Sequence, residues 1–188
     1  VEELKLEQNG GETKLLDWDA TVKLNLLPLL AKDGHSIHSL STQLTFADQQ
    51  SDNFDYWFRP STSRLAMKND YKGEASRTYS KYRQHSLEWL GNYAMELKGH
   101  RARAMVGYSY QYFQNSGLNA ANKDFSSDGL LYNNLGSGEW AKEEGRNEMG
   151  TNKSDSKLIA FFGRLSYDYK NRYLMTASLR YEGSSRFG

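Results

Sequence analysis

The sequence of 188 residues contains no cysteine and only two prolines. The absence of cysteine excludes disulfide frameworks, cysteine-ligated zinc sites and thiol nucleophiles, and the scarcity of proline excludes a proline-rich linker. The mean hydropathy is −0.80, and no apolar run approaches the roughly 18 residues that a membrane-spanning helix needs. The formal net charge is only +1. We therefore expect no nucleic-acid partner, because such proteins carry a clear basic excess.

Aromatic residues are abundant, at 13% of the chain, in spite of the low mean hydropathy. From Trp18 to Leu26 every even-numbered residue is apolar and the residues between them are mostly polar. This period of two is typical of a strand with one apolar and one polar face. Similar stripes lie at 38–46, 87–97, 102–112, 159–169 and 173–181. The sequence predicts an all-β, antiparallel fold of about six strands, with Leu4–Leu6 as a candidate seventh.

The connections between the predicted strands alternate in length. Lys32–Gly34, Lys98–His100 and Lys170–Arg172 are tight turns, whereas residues 48–78 and 114–156 form long polar connections. Transmembrane β-barrels have short turns at one end and long loops at the other, and a strand of about 9–11 tilted residues crosses the bilayer. The pattern therefore favours a transmembrane β-barrel segment with short periplasmic turns and long extracellular loops.

A barrel wall also explains the composition, because its outer face is apolar while its lumen is polar. Aromatic rings collect at both lipid–water boundaries. We expect one girdle beside the short turns (Tyr167, Tyr169 and Tyr173) and the other at the opposite end (Tyr110, Tyr112, Phe161 and Tyr181). Charged residues on the polar faces are candidates for the lumen lining: Asp17, Asp19, Lys23, Arg101, Arg103 and Arg180. The alternative is a soluble β-sandwich that acts as a cell-surface carbohydrate-binding module.

Three segments carry a family resemblance. Residues 162–188, which end in Gly-Ser-Ser-Arg-Phe-Gly, the loop segment Leu131–Gly138 and the hairpin Leu87–Tyr112 resemble SusC/RagA-type TonB-dependent outer-membrane transporters. Members of this family are barrels of about 22 strands closed by an N-terminal plug. The sequence departs from the family at Glu182, where aspartate is more frequent. The likeness is specific over about residues 80–188 and general over the first 80.

The resemblance implies a function for the longer protein. It implies an outer-membrane importer of large nutrients, oligosaccharides or peptides, that works with a SusD-like surface lipoprotein and is energised through TonB. We expect residues 1–188 to be an internal part of the barrel domain, surrounded by lipid, with the plug and the TonB-contacting segment outside this chain. No catalytic set and no cofactor motif is present, and the histidines are too scattered to predict a metal site. We expect no enzyme and no cofactor.

One polar connection is unusually aromatic. The segment Asp55–Pro60 contains Tyr56, Trp57 and Arg59, and Trp140 lies in the second long connection. Flat rings beside hydrogen-bonding groups stack on sugar faces or peptide side chains. These four residues are therefore candidates for contact with cargo or with the lipoprotein. The alternative is that they pack one loop against another or fold over the mouth of the barrel.

Overall fold

The computed structural model describes residues 7–26 and 37–186, which form one six-stranded sheet in the order β1-β2-β3-β4-β5-β6. The strands are antiparallel and span Gln8–Asn25 (β1), Ile37–Arg59 (β2), Glu74–Leu97 (β3), His100–Lys123 (β4), Met149–Tyr169 (β5) and Tyr173–Ser184 (β6). A short helix, Arg64–Lys68 (α1), follows β2. No helix in this part of the chain is long and apolar enough to cross a membrane. The predicted all-β fold of six strands is confirmed, and Leu4–Leu6 lies outside the described residues.

Each strand has two alternating faces. The front face comprises the even-numbered residues of β1, β2 and β4 and the odd-numbered residues of β3, β5 and β6. The remaining strand residues form the back face. The register is regular, because Leu26 N donates to Leu40 O and Tyr56 lies over Gly10. The number of residues from Gly10 to Leu26 equals the number from Leu40 to Tyr56. No inserted residue therefore exchanges the faces along this pair of strands.

One compact unit comprises residues 17–49, 83–113 and 155–188. Its front face is apolar: Trp18 contacts Phe46 with ring centroids 5.4 Å apart, and Tyr108 contacts Phe161 at 5.1 Å. Leu165 is paired with Ala177. Large apolar side chains on this face, including Val22, Val106 and Leu179, are exposed because no second sheet of the described residues covers them. These residues therefore form no β-sandwich, and the alternative fold is wrong for them.

The short turns of this unit are as the sequence predicts. Lys98 and Gly99 join β3 to β4 with positive φ angles of 45° and 84°, and Lys170 and Asn171 join β5 to β6 with 52° and 57°. Backbone in this left-handed region suits the tight turns of hairpins. Lys170 N also donates to Gly99 O at 2.8 Å, so the two turns are held side by side. The turn Lys32–Gly34 lies outside the described residues.

The other compact unit comprises residues 1–16, 50–82 and 114–154, described from residue 7 onward. Here the two connections are shorter than the sequence predicts, so their predicted bounds, 48–78 and 114–156, are wrong. β2 continues to Arg59 and β3 begins at Glu74, while β4 continues to Lys123 and β5 begins at Met149. The connections are therefore only residues 60–73 and 124–148. Polar residues such as Asp48, Gln50 and Asp52 interrupt the apolar stripe of β2 before it resumes at Phe54, Tyr56 and Phe58.

The two connections of this unit pack against each other. A small core of Phe58, Ala75 and Phe125 is buried beneath Leu131 and Leu135. The Asp128 carboxylate accepts hydrogen bonds from Ser61 N, at 3.1 Å to each oxygen, and from Ser61 Oγ at 2.8 Å. The backbone of one connection also bonds the other, because Phe125 N donates to Lys72 O at 2.6 Å. The connections are therefore ordered by contact with each other.

Candidate functional site on the back face

The four residues expected to contact cargo or partner lie in different places in the fold. Tyr56, Trp57 and Arg59 lie on β2, which corrects their expected place in a loop. Trp140 lies in a short 3-10 turn of the second connection. Alternation along β2 places Trp57 and Arg59 on the back face and Tyr56 on the front face. The four residues therefore do not form one surface.

Arg59 organises the first half of a back-face cluster. Its Nε donates to Glu7 Oε1 at 2.7 Å, and its Nη1 donates to Glu74 Oε2 at 3.2 Å and to Tyr71 Oη at 3.1 Å. The Tyr71 hydroxyl in turn donates to Glu74 at 3.0 Å. The guanidinium lies 4.5 Å from the centre of the Trp57 ring. Burial alone would lower the pKa of Arg59, but the bonds to Glu7 and Tyr71 outweigh it and raise this pKa.

Lys123 organises the second half. Its ammonium lies 3.3 Å from Glu74 and 3.4 Å from Glu148, and 5.2 Å from the centre of the Trp140 ring. Arg146 lies over the same ring at 5.1 Å. Burial would lower the pKa of Lys123, but attraction to Glu74 and Glu148 is stronger and raises it. Glu74 therefore joins the Arg59 half to the Lys123 half, and we call the whole the back-face cluster.

The chemistry of the back-face cluster is that of a fixed, charge-balanced surface. Its cations are each matched by carboxylates, and partly buried pairs of this kind hold their geometry because breaking one leaves a charge unpaired. Trp57 and Trp140 are half-buried and keep their orientation through the neighbouring cations. Such amphipathic rings, beside donors and acceptors held in place, suit contact with a polar ligand that has flat apolar surfaces.

Sequence reasoning found three members of this cluster and missed the residues that connect them. Glu7, Tyr71, Glu74, Lys123 and Glu148 carry no motif. Their only shared signal is that acidic and basic residues occur at strand ends, and the register decides which of them meet. The grouping of Trp57 and Arg59 with Trp140 is therefore a property of the fold.

Tyr56 belongs to a separate cluster on the front face. Its ring stacks on Tyr132 with centroids 3.7 Å apart and an angle of 16°. Phe54 stacks on Tyr79 at 4.7 Å, and the Arg77 guanidinium lies 5.0 Å from the Phe54 ring. Tyr132 belongs to the second connection, so Tyr56 holds that connection against the sheet. This is the contact that the loop-packing alternative describes, and contact of Tyr56 with cargo or with the lipoprotein stays a prediction.

The charged residues expected in a lumen all lie on the back face of the unit that carries the apolar band. By strand position these are Asp17, Asp19, Lys23, Arg101, Arg103 and Arg180. Arg101 contacts Asp168 and Glu96, each at 3.6 Å. Arg180 is hydrogen-bonded to Glu182 and lies 5.4 Å from the ring of Phe162. The structure thus places these residues on one surface, and their exposure to a lumen stays a prediction.

The histidines of this same unit bond to neighbouring side chains. His38 Nδ1 lies 2.8 Å from Tyr93 Oη, and His100 Nδ1 lies 2.6 Å from Tyr167 Oη. His85 Nδ1 lies 3.0 Å from Asp48. Among the described residues, no three His, Asp or Glu side chains are grouped as a metal site would require. His35 lies outside the described residues.

Comparison with curated proteins finds TonB-dependent receptors. TonB-dependent receptor P39 of Formosa agariphila is 38% identical over 92 residues, which are 47% of this chain and 8% of that receptor. Receptor P3 of the same organism is 30% identical over 115 residues, 61% of this chain and 11% of that receptor. SusC of Bacteroides thetaiotaomicron is 57% identical over 30 residues, 16% of this chain and 3% of SusC. No family model matches the chain.

Comparison with solved structures finds the RagAB peptide transporter. One structure gives a TM-score of 0.64 at 17% identity, and the open-open state gives 0.70 at 18%; both cover 98% of this chain and 19% of the matched RagAB chain. At this identity the likeness shows the fold alone, a six-stranded sheet that resembles a segment of the matched RagAB chain. The resemblance to SusC/RagA-type receptors is confirmed by the sequence relatives. The chain spans about a tenth of the length of receptors P39 and P3.

Proposed function

We propose that this chain forms part of the wall of a TonB-dependent outer-membrane transporter that imports oligosaccharides or peptides. Residues 1–188 belong to its barrel domain, and the plug that receives energy from TonB lies outside this chain. A SusD-like surface lipoprotein delivers the cargo. The resemblance to SusC and to the RagAB peptide transporter supports this role. The protein acts by transport and not by catalysis.

The observation that carries the proposal is the apolar band on the front face. On β4 the band extends from Ala102 to Tyr112, and the register sets Phe161 against Tyr181 and Tyr169 against Tyr173 on β5 and β6. Ten residue steps cover about 33 Å of strand, or about 25 Å across a membrane at a tilt of about 40°. This is the height of the lipid-facing band of outer-membrane barrels. The back face of the same strands carries the charged residues, as a lumen lining does.

Arginine substitution tests which face contacts lipid. Val106→Arg and Ala177→Arg place a charge on the front face within the apolar band, whereas Ser109→Arg and Ser178→Arg place it on the back face of the same strands. In the full-length transporter the front-face variants should lose about 2–4 kcal/mol of barrel stability and the back-face variants much less. Barrel assembly is measured on membrane samples, as the difference in gel mobility between unheated and heated protein. Equal losses at both pairs of positions would contradict the proposal.

The cargo role of the back-face cluster needs its own test. Trp57→Ala and Trp140→Ala in the full-length transporter should reduce uptake or lipoprotein binding while the barrel still assembles. Leu118→Ala is the matched control, because Leu118 is a large apolar residue exposed on the front face of the same unit. Parallel assays with oligosaccharides and with peptides identify the cargo class. Unchanged uptake and unchanged lipoprotein binding in both tryptophan variants would exclude these residues as contacts.

A further inference from the structure

The turn end of the sheet collects cations and tyrosines on the front face. His100 is bonded to Tyr167, and its ring centre lies 4.6 Å from that of Tyr169. Tyr169 stacks with Tyr173 at 6.5 Å. The Lys170 ammonium lies 5.1 Å from the centre of the Tyr169 ring, so this cation is on the front side of its turn. We call these five residues the turn-rim cluster.

Charges at this end are separated between the two faces. The acidic residues Glu96 and Asp168 lie on the back face, where both contact Arg101. The turn cations Lys98, Lys170 and Arg172 are exposed. Within residues 7–26 and 37–186 they form no ion pair. The front side of the turns therefore carries the Lys170 ammonium, which forms no ion pair with a carboxylate of the described residues.

Apolar side chains continue directly from the turn-rim cluster. Tyr167 is paired with Met175, and Leu165 is paired with Ala177, all on the front face. Both Leu165 and Met175 are exposed. A ligand that fits this surface has an anionic group at the turns and long apolar chains along the strands. Free phosphate satisfies only the first condition, whereas a phospholipid satisfies both.

We propose that the turn-rim cluster binds the phosphate of an anionic phospholipid in the periplasmic leaflet. The Lys170 ammonium contacts the phosphate, with His100 and the tyrosine hydroxyls beside it, and Lys98 and Arg172 extend the positive rim. The acyl chains lie on Leu165 and Met175. This inference rests on the proposed function, because it requires the front face to be in a membrane.

Lipid titration of the full-length transporter tests the site. The protein is placed in phosphatidylethanolamine nanodiscs with increasing phosphatidylglycerol, and retained phosphatidylglycerol is counted by native mass spectrometry. Lys170→Gln should weaken retention about fivefold, and Lys170→Gln with Arg172→Gln about fivefold more, since each basic residue near a membrane surface contributes such a factor. Lys153→Gln, which removes an exposed lysine of β5 away from the turns, should retain phosphatidylglycerol like the unchanged protein.

The outcomes separate this inference from the proposed function. If all variants insert as barrels but retain phosphatidylglycerol equally, the lipid site is refuted and the transporter proposal stands. If inorganic phosphate displaces the lipid from the unchanged protein, the surface recognises phosphate alone and the lipid assignment is wrong. If the unchanged protein does not insert into the nanodisc membrane, the transporter proposal fails and the lipid site fails with it.

Discussion

The aromatic ring of Phe162 lies directly on the backbone of Gly107. A methyl group placed on Gly107 would be 2.3 Å from Phe162 Cε2, well inside van der Waals contact. The Arg180 guanidinium lies 5.4 Å from the centre of the same ring. The missing side chain on β4 thus makes room for an aromatic residue of β5, which in turn orients a cation of β6 on the back face.

Gly107→Ala should destabilise the barrel by about 1–3 kcal/mol, the usual cost of forcing an extra methyl group into an occupied space. The expected result is a lower midpoint of thermal unfolding in detergent. Gly183→Ala is the matched control, since nothing lies within 4 Å of the methyl group that it would add. Equal midpoints for the two variants would mean that Phe162 does not occupy this position.

Asp128→Ala should loosen the two connections from each other. The change removes the acceptor for both Ser61 N and Ser61 Oγ and should cost about 1–3 kcal/mol of local stability. Limited proteolysis should then cut residues 60–73 and 124–148 faster, with barrel assembly unchanged. Glu144→Ala, at an exposed position that forms no ion pair with any other described residue, serves as the control. Cleavage no faster than in that control would show that this contact does not order the connections.

Alkaline pH should weaken the back-face cluster through Lys123. Its pKa is raised above the ordinary value of 10.5 in the folded protein, so the charged form is stabilised by folding. This contribution is fully present below about pH 10.5 and is lost as the pH rises through the raised pKa. Fluorescence of Trp140, whose ring Lys123 contacts, should change over this range.

Lys123→Arg provides the comparison for the alkaline titration, because arginine stays charged throughout it. Subtracting the Lys123→Arg titration from that of the unchanged protein removes the contribution of the tyrosines. The remaining change should belong to Lys123 and should disappear when Trp140 is replaced by Phe. Identical titrations of the two proteins would exclude Lys123 as the group responsible.

The extent of the strands was the main point at which sequence reasoning failed. Asp48 and Asp52 interrupt the apolar alternation of β2, and the sequence accordingly predicts a loop over residues 48–78. In the fold these residues pair across the strands, as in Lys81 with Asp52 and His85 with Asp48. Strands held by backbone bonds and ion pairs have no hydrophobic period, so their sequence does not distinguish them from a polar connection.

The sequence by itself determined the all-β class, the apolar face of each strand, the tight turns and the resemblance to TonB-dependent receptors. These follow from local chemistry, because alternation and turn residues act within a few positions of the chain. Only the tertiary structure decided that Glu74 joins Arg59, beside Trp57, to Lys123, beside Trp140, while Tyr56 faces the other way. Those contacts join residues far apart in sequence, and they depend on the register between strands, which no single strand specifies.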